Sequence, residues 1–151
     1  MKETRAILFV CTGNICRSPT AEAVFRALCR QAGIELRIES AGLGDWHVGH
    51  PPDERAQRHA RNRGYDLSAQ RARQVSARDF HEFDLILAMD RGHFRELQRM
   101  APPERRAKVR MFMDGCDVPD PYYGGAHGFE RVLDLVEERC RALLQDLKPA
   151  S

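Results

Sequence analysis

The most constraining feature lies near the N-terminus. Ala6-Ile-Leu-Phe-Val10 runs straight into Cys11-Thr-Gly-Asn-Ile-Cys-Arg17-Ser18-Pro19, and a helical pattern follows at once. Five apolar residues without polar alternation mark a buried strand. Pro19 suits a first helical turn, where its missing N–H leaves no bond unmade. Ala21, Val24, Phe25 and Leu28 then fall at i, i+3, i+4 and i+7, and Gly33 stops the pattern. A strand, a short loop and a helix in that order begin a βαβ unit, so a parallel sheet is implied from the first 33 residues.

The remaining apolar stretches agree. Leu36 to Glu39 is a short half-polar strand candidate, and Phe83 to Met89 and Lys108 to Met113 are two more. Phe129, Val132, Leu133, Val136, Cys140, Leu143, Leu144 and Leu147 keep one helical face, ending at Pro149. Strands alternating with helices predict an α/β chain, a doubly wound parallel sheet with helices on both faces. No linker or repeat interrupts it, so residues 1–151 read as one domain. A chain of this size buries roughly two-thirds of its unfolded surface and needs no disulfide or metal to hold its core. Ligands of such sheets bind beyond the carboxyl ends of the strands. Chemistry is therefore expected just after Val10, Ser40, Met89 and Met113.

Charge and cysteines narrow the partners. A formal net charge of +2 gives no reason to expect nucleic acid. The five cysteines, at 11, 16, 29, 116 and 140, are odd in number and lack CxxC spacing. Cys29 and Cys140 fall on apolar helix faces, as core residues do, whereas Cys116 has no assigned role. The run Ala6–Val10 is too short for a signal peptide's apolar core or a membrane span, so free thiols in a reducing cytoplasm are the simplest reading. His47 and His50 have no carboxylate or cysteine completing a ligand set at recognisable spacing, so they are read as surface or loop-stabilising residues and no metal is expected.

The loop itself carries the chemistry. Five residues separate Cys11 from Arg17, enough for a loop to curl its backbone N–H groups around a tetrahedral dianion beside a helix N-terminus. Gly13 permits a left-handed turn, and Asn14 tolerates one while hydrogen-bonding within the loop. Cys11 is placed at the floor, where N–H dipoles, the helix terminus and Arg17 all favour its thiolate. Arg17 can fork two N–H donors onto two phosphoryl oxygens. Ser18 can donate to the Cys11 sulfur and ease its departure. The plainer reading of Cys11, a small buried residue at a strand end, is outweighed by this strand–loop–helix context.

The segment Val10 to Glu22 resembles the phosphate-binding loop of the low-molecular-weight protein tyrosine phosphatases. Three further blocks are similar to that family: Ser40 to Asp53, Ala88-Met-Asp-Arg91, and Asp117-Val-Pro-Asp-Pro-Tyr-Tyr123. The resemblance implies a four-stranded, flavodoxin-like parallel sheet with one active site at the strand tips. It implies hydrolysis of phosphotyrosine in proteins through a phosphocysteine on Cys11, with Arg17 as phosphate clamp and no cofactor. Asp120, at the family's Asp-Pro position, is implied as general acid and then base, although Asp120-Pro121 alone is only a turn signal. Thr12, Gly13, Asn14, Ile15, Cys16 and Ser18 are implied in phosphate binding, and Trp46, Tyr122 and Tyr123 as aromatic walls. Trp46 would otherwise be read as core. Cys16 is implied as a resolving thiol for oxidised Cys11, or is simply packed. Asp90 either braces the phosphate loop or caps a strand end.

Two rival readings remain. An arsenate reductase would need two relay cysteines after the third strand, and Phe80 to Ala101 contains none. A phosphate- or flavin-binding module would need the anion nest but neither nucleophile nor acid. The seven arginines between Arg55 and Arg78, against the single acid Asp66, read as a solvated face or as a surface steering acidic phosphoproteins.

Overall fold

The computed structural model describes residues 4–122 and 124–147. Strand β1 (Ala6–Cys11) is buried at all six positions, which explains its unbroken apolar sequence. Phe9 anchors it, with edge-on contacts to Phe25 at 5.9 Å and Phe112 at 5.7 Å between ring centroids; burying such a side chain contributes roughly 1.5–3 kcal/mol. Helix α1 (Arg17–Ala32) ends at the expected Gly33, where the N–H groups of Gly33 and Ile34 return to the carbonyls of Arg30 and Cys29.

The other strands match their sequence signals less closely. β2 is Arg37–Gly42 rather than Leu36 to Glu39, because Ser40, Ala41 and Gly42 continue the ladder opposite Phe9, Val10 and Cys11. β3 (Leu85–Ala88) and β4 (Val109–Met111) are shorter than their apolar runs. Three helices are not among the sequence expectations: α2 (Glu54–Asn62), α3 (Asp79–Glu82) and α4 (Arg91–Met100). The buried faces of α2 and α4 are thin, Ala56 and Ala60 in one, His93 and Leu97 in the other. Each starts on an aspartate cap: Asp53 accepts from the N–H groups of Arg55 and Ala56, and Asp90 from that of His93. A 3₁₀ turn (Pro103–Lys108) precedes β4. Helix α5 (Ala126–Leu147) buries the expected face from Phe129 to Leu144, while Pro149 lies outside the described residues.

The sheet is wholly parallel in the order β2-β1-β3-β4. Ile7, Phe9 and Cys11 face a core built with α1, α2 and α5; Leu8 and Val10 face another with Phe80, Phe83 and Leu97. Helices thus cover both faces. Strand order reverses between β1 and β3, and at such a point the adjoining loops diverge and leave a crevice. No helix among the described residues is long and apolar enough to cross a membrane.

The arginine run divides in two. Arg58, Arg61, Arg71 and Arg78 are exposed, as a solvated face requires. Arg55 pairs with Asp53, Arg63 ties α2 to Glu130 and Asp134 of α5, and Arg73 forks onto buried Asp79 with two bonds of 3.0 Å. These partners lie outside the arginine-rich segment, so its composition alone conceals them.

Candidate active site

The loop after β1 is held from beneath. Asn14 is its left-handed residue, φ 59°. Gly13 is not left-handed, contrary to the reading from sequence; its missing Cβ instead makes room for His47, whose Cδ2 would stand 2.9 Å from one. Asn14 is buried, and its Nδ2 donates to Ser18 Oγ (2.8 Å) and Ser40 Oγ (2.9 Å), while its Oδ1 accepts from the Arg73 N–H (3.0 Å). Gly42 at the end of β2 lies against the loop backbone, where a Cβ would meet the Thr12 carbonyl oxygen at 2.9 Å and the Asn14 nitrogen at 3.0 Å. Pinned in this way, the loop leaves the N–H groups of residues 13–16 without a protein acceptor among the described residues. That is the condition for an anion nest.

Cys11 sits at the floor, 3 % exposed. Its sulfur is 3.0 Å from Ser18 Oγ and accepts from the Ser18 N–H at 3.4 Å. Arg17 is buried beside it. Its Nη1 donates to Asp90 Oδ2 (3.1 Å) and to the Val118 carbonyl (3.0 Å), and its Nη2 to Thr12 Oγ1 (3.2 Å). A buried guanidinium without such partners would cost about 3–5 kcal/mol. Asp90 therefore braces the loop through Arg17, and its cap belongs to the start of α4 rather than to a strand end. One oxygen caps α4 and the other braces Arg17.

Asp120 reaches the same place from the loop before α5, with Oδ2 3.6 Å from Arg17 Nη2. Its Oδ1 accepts from the Tyr122 N–H at 3.0 Å, so the turn implied by Asp120-Pro121 does form, and it aims the carboxylate. Arg55 steadies this loop by donating to the Tyr122 carbonyl at 3.0 Å, with its guanidinium 5.4 Å from the Tyr122 ring centroid. Asp53 holds Arg55 in turn. Burial opposes ionisation of Asp53, but bonds from the Arg55 side chain and from the Arg55 and Ala56 N–H groups keep its carboxyl below the usual range. Asp117 lies to one side, bonded to the Arg91 N–H at 2.9 Å.

Cys11, Thr12, Gly13, Ile15, Cys16, Arg17, Trp46, Asp120 and Tyr122 line one cleft of about 320 Å³, together with His47. Asn14 and Ser18 lie beneath the loop, and Tyr123 lies outside the described residues. Trp46 is 67 % exposed, which excludes the core reading. Cys16 is buried, and burial, with Asp53, Cys11 and Asp120 nearby, pushes its thiol far above the usual range. The sequence reading missed His47 as a wall of the cleft and passed over His93. Burial and the Arg17 charge push the His93 imidazole down to about 4. Spacing gave one signal for His93, its place three residues after the Asp90 cap.

Fold and site together define an α/β protein built around an oxyanion-binding cysteine loop at the switch point of its sheet. The family model for low molecular weight phosphotyrosine protein phosphatase matches residues 6–151, and the chain belongs to that family. It is 47% identical over 152 residues to a low molecular weight protein-tyrosine-phosphatase of Streptomyces coelicolor, covering 93% of this chain and 92% of that one. It is 42% identical over 151 residues to YfkJ of Bacillus subtilis, another low molecular weight protein-tyrosine-phosphatase, covering 95% and 96%. A crystal structure of a protein tyrosine phosphatase from Entamoeba histolytica with Hepes in its active site superposes with a TM-score of 0.92 at 38% identity, over 95% of this chain and 97% of that one.

Proposed function

We propose that this chain hydrolyses phosphotyrosine in proteins through a phosphocysteine on Cys11. The observation that carries the reading is the convergence of the Cys11 sulfur, the Arg17 guanidinium and the Asp120 carboxylate on one cleft. The Cys11 thiolate attacks phosphorus from the floor. Nη1 of Arg17 is committed to Asp90 and Val118, which leaves Nε and the second Nη2 hydrogen for two phosphoryl oxygens. The nest supplies N–H groups aimed at the charge that spreads over those oxygens. Asp120 gives its proton to the departing phenolate, then takes one from the water that cleaves the S–P bond. Ser18 Oγ, 3.0 Å from the sulfur, stabilises the thiolate as it leaves.

Trp46 and Tyr122 on the rim suit a phenyl ring, and the sulfur is buried at the floor beneath them. Tyrosine-phosphorylated proteins are the substrate class that fits. The absence of cysteine from Phe80 to Ala101, the segment that spans β3 and α4, argues against a reductase relay. Five free cysteines, four of them buried, suit a reducing cytoplasm.

The test is hydrolysis of matched phosphotyrosine and phosphoserine peptides in EDTA by the parent and Arg17→Lys. Parent turnover confined to phosphotyrosine, and nearly lost in Arg17→Lys, is expected, because an ammonium cannot fork onto two oxygens. Near-parent activity of the lysine variant would place the phosphate elsewhere.

A further inference from the structure

Arg17 can only donate hydrogen bonds, so the polarity of the contacts around it is fixed. Its Nη2 donates to Thr12 Oγ1 at 3.2 Å, and that oxygen lies 2.7 Å from His93 Nε2. With Arg17 donating to the hydroxyl oxygen, the hydroxyl's own hydrogen is free to run to a bare Nε2. The carboxylate oxygen Asp90 Oδ1, 3.3 Å from Nδ1 though not aligned as a hydrogen bond, favours the imidazole proton on that nitrogen and leaves Nε2 to accept. Asp90 Oδ1 also accepts the His93 backbone N–H at 2.8 Å, and Asp90 Oδ2 accepts from Arg17 Nη1 at 3.1 Å. Two routes thus lead from Arg17 to Asp90, one direct and one through Thr12 and His93. The second closes on Asp90 through the His93 backbone N–H, and its link to Thr12 needs only a neutral imidazole, in keeping with the burial that disfavours the charged form. His93 is 5 % exposed and does not line the cleft, so it acts only through its neighbours.

We propose that His93 is a positioning residue that, through the Thr12 hydroxyl, fixes the roll of the Arg17 guanidinium plane. The inference rests on the proposed phosphatase reading. Asp90 and the Val118 carbonyl hold one terminal nitrogen of Arg17. Thr12 holds the other. Thr12 is exposed, and its side chain would otherwise sample several rotamers; the bond to buried His93 selects one. The effect should be greatest where phosphorus has three coplanar equatorial oxygens, since the donors must then meet them in one plane. A tetrahedral anion tolerates a rolled guanidinium better.

The decisive variant is Thr12→Val, an isosteric change on an exposed loop. It is assayed with an aryl phosphate whose phenol needs no proton, and by inhibition with orthovanadate, which becomes five-coordinate on the sulfur, and with inorganic phosphate. We expect kcat/KM and vanadate affinity to fall about tenfold, phosphate affinity to change far less, and the variant to remain fully folded under assay conditions despite a lower unfolding midpoint. Thr12→Ser should restore the parent values. His93→Phe should match the valine loss, and the double variant should lose no more than either single one. A parent-like Thr12→Val, losses that multiply in the double variant, or failure of serine to rescue would each overturn the inference. Arg17→Lys is the control. If it keeps vanadate affinity, the site reading itself fails; if it loses affinity while Thr12→Val does not, only the role of His93 fails.

Discussion

Asn14 Nδ2 donates to Ser40 Oγ at 2.9 Å, tying the phosphate-binding loop to the neighbouring strand across 26 residues of sequence. Asn14 also carries the loop's left-handed backbone, φ 59°. Alanine there would meet a left-handed penalty of roughly 1–2 kcal/mol and lose the amide bonds. Asn14→Ala should destabilise the fold by about 2–4 kcal/mol, read from urea unfolding, and reduce kcat/KM more than the unfolded fraction explains. Asn14→Gly should recover part of the stability and little of the activity, because it restores the backbone and not the amide.

Stability should depend on pH through His93. Burial first, and then the Arg17 charge, push its imidazole from 6.5 to about 4, against the opposing pull of Asp90, Asp120 and Asp117. The unfolded chain therefore binds the extra proton over this window. His93 costs the fold nothing above about pH 6.5, and its cost grows as pH falls towards 4, reaching on the order of 3 kcal/mol. His93→Gln should flatten the urea-midpoint profile between those pH values. A profile as steep as the parent's would mean that other groups carry the dependence.

What was legible in the sequence followed from how locally each feature is encoded. β1, the loop and α1 occupy one continuous stretch, so Cys11, Arg17 and the parallel sheet were all readable from it. The expected face of α5 holds because every buried residue on it is large or sulfur-bearing. α2 and α4 were obscure because they bury little more than alanines, one leucine and a histidine. The end of β2 was obscure because Ser40-Ala41-Gly42 has almost no apolar signal, yet small residues are what let the loop pack against it. The bond between Thr12 and His93 spans 81 residues, and neither residue marks it alone.

Asp120 separates chemistry from binding. Removal of a general acid costs typically 10²–10⁴-fold where the leaving group needs a proton. Asp120→Ala should slow phenyl phosphate and phosphotyrosine strongly, but spare the formation of phosphoenzyme from aryl phosphates of very acidic phenols. Its rates should fall steeply with leaving-group pKa while the parent's stay nearly flat. Equal slowing of all leaving groups would reduce Asp120 to a turn residue and direct attention to Asp117.

The central claim, a phosphoryl group carried on the Cys11 sulfur, is tested most directly by trapping it. Asp120→Ala with an activated aryl phosphate should form the intermediate readily and hydrolyse it slowly, because the same carboxylate is needed as base for the attacking water. Acid quench followed by peptide mass spectrometry should then find one phosphoryl group on the peptide bearing Cys11, and none in Asp120→Ala combined with Cys11→Ser. A phosphoryl group on any other residue, or steady turnover by Cys11→Ser with no covalent species, would contradict the account.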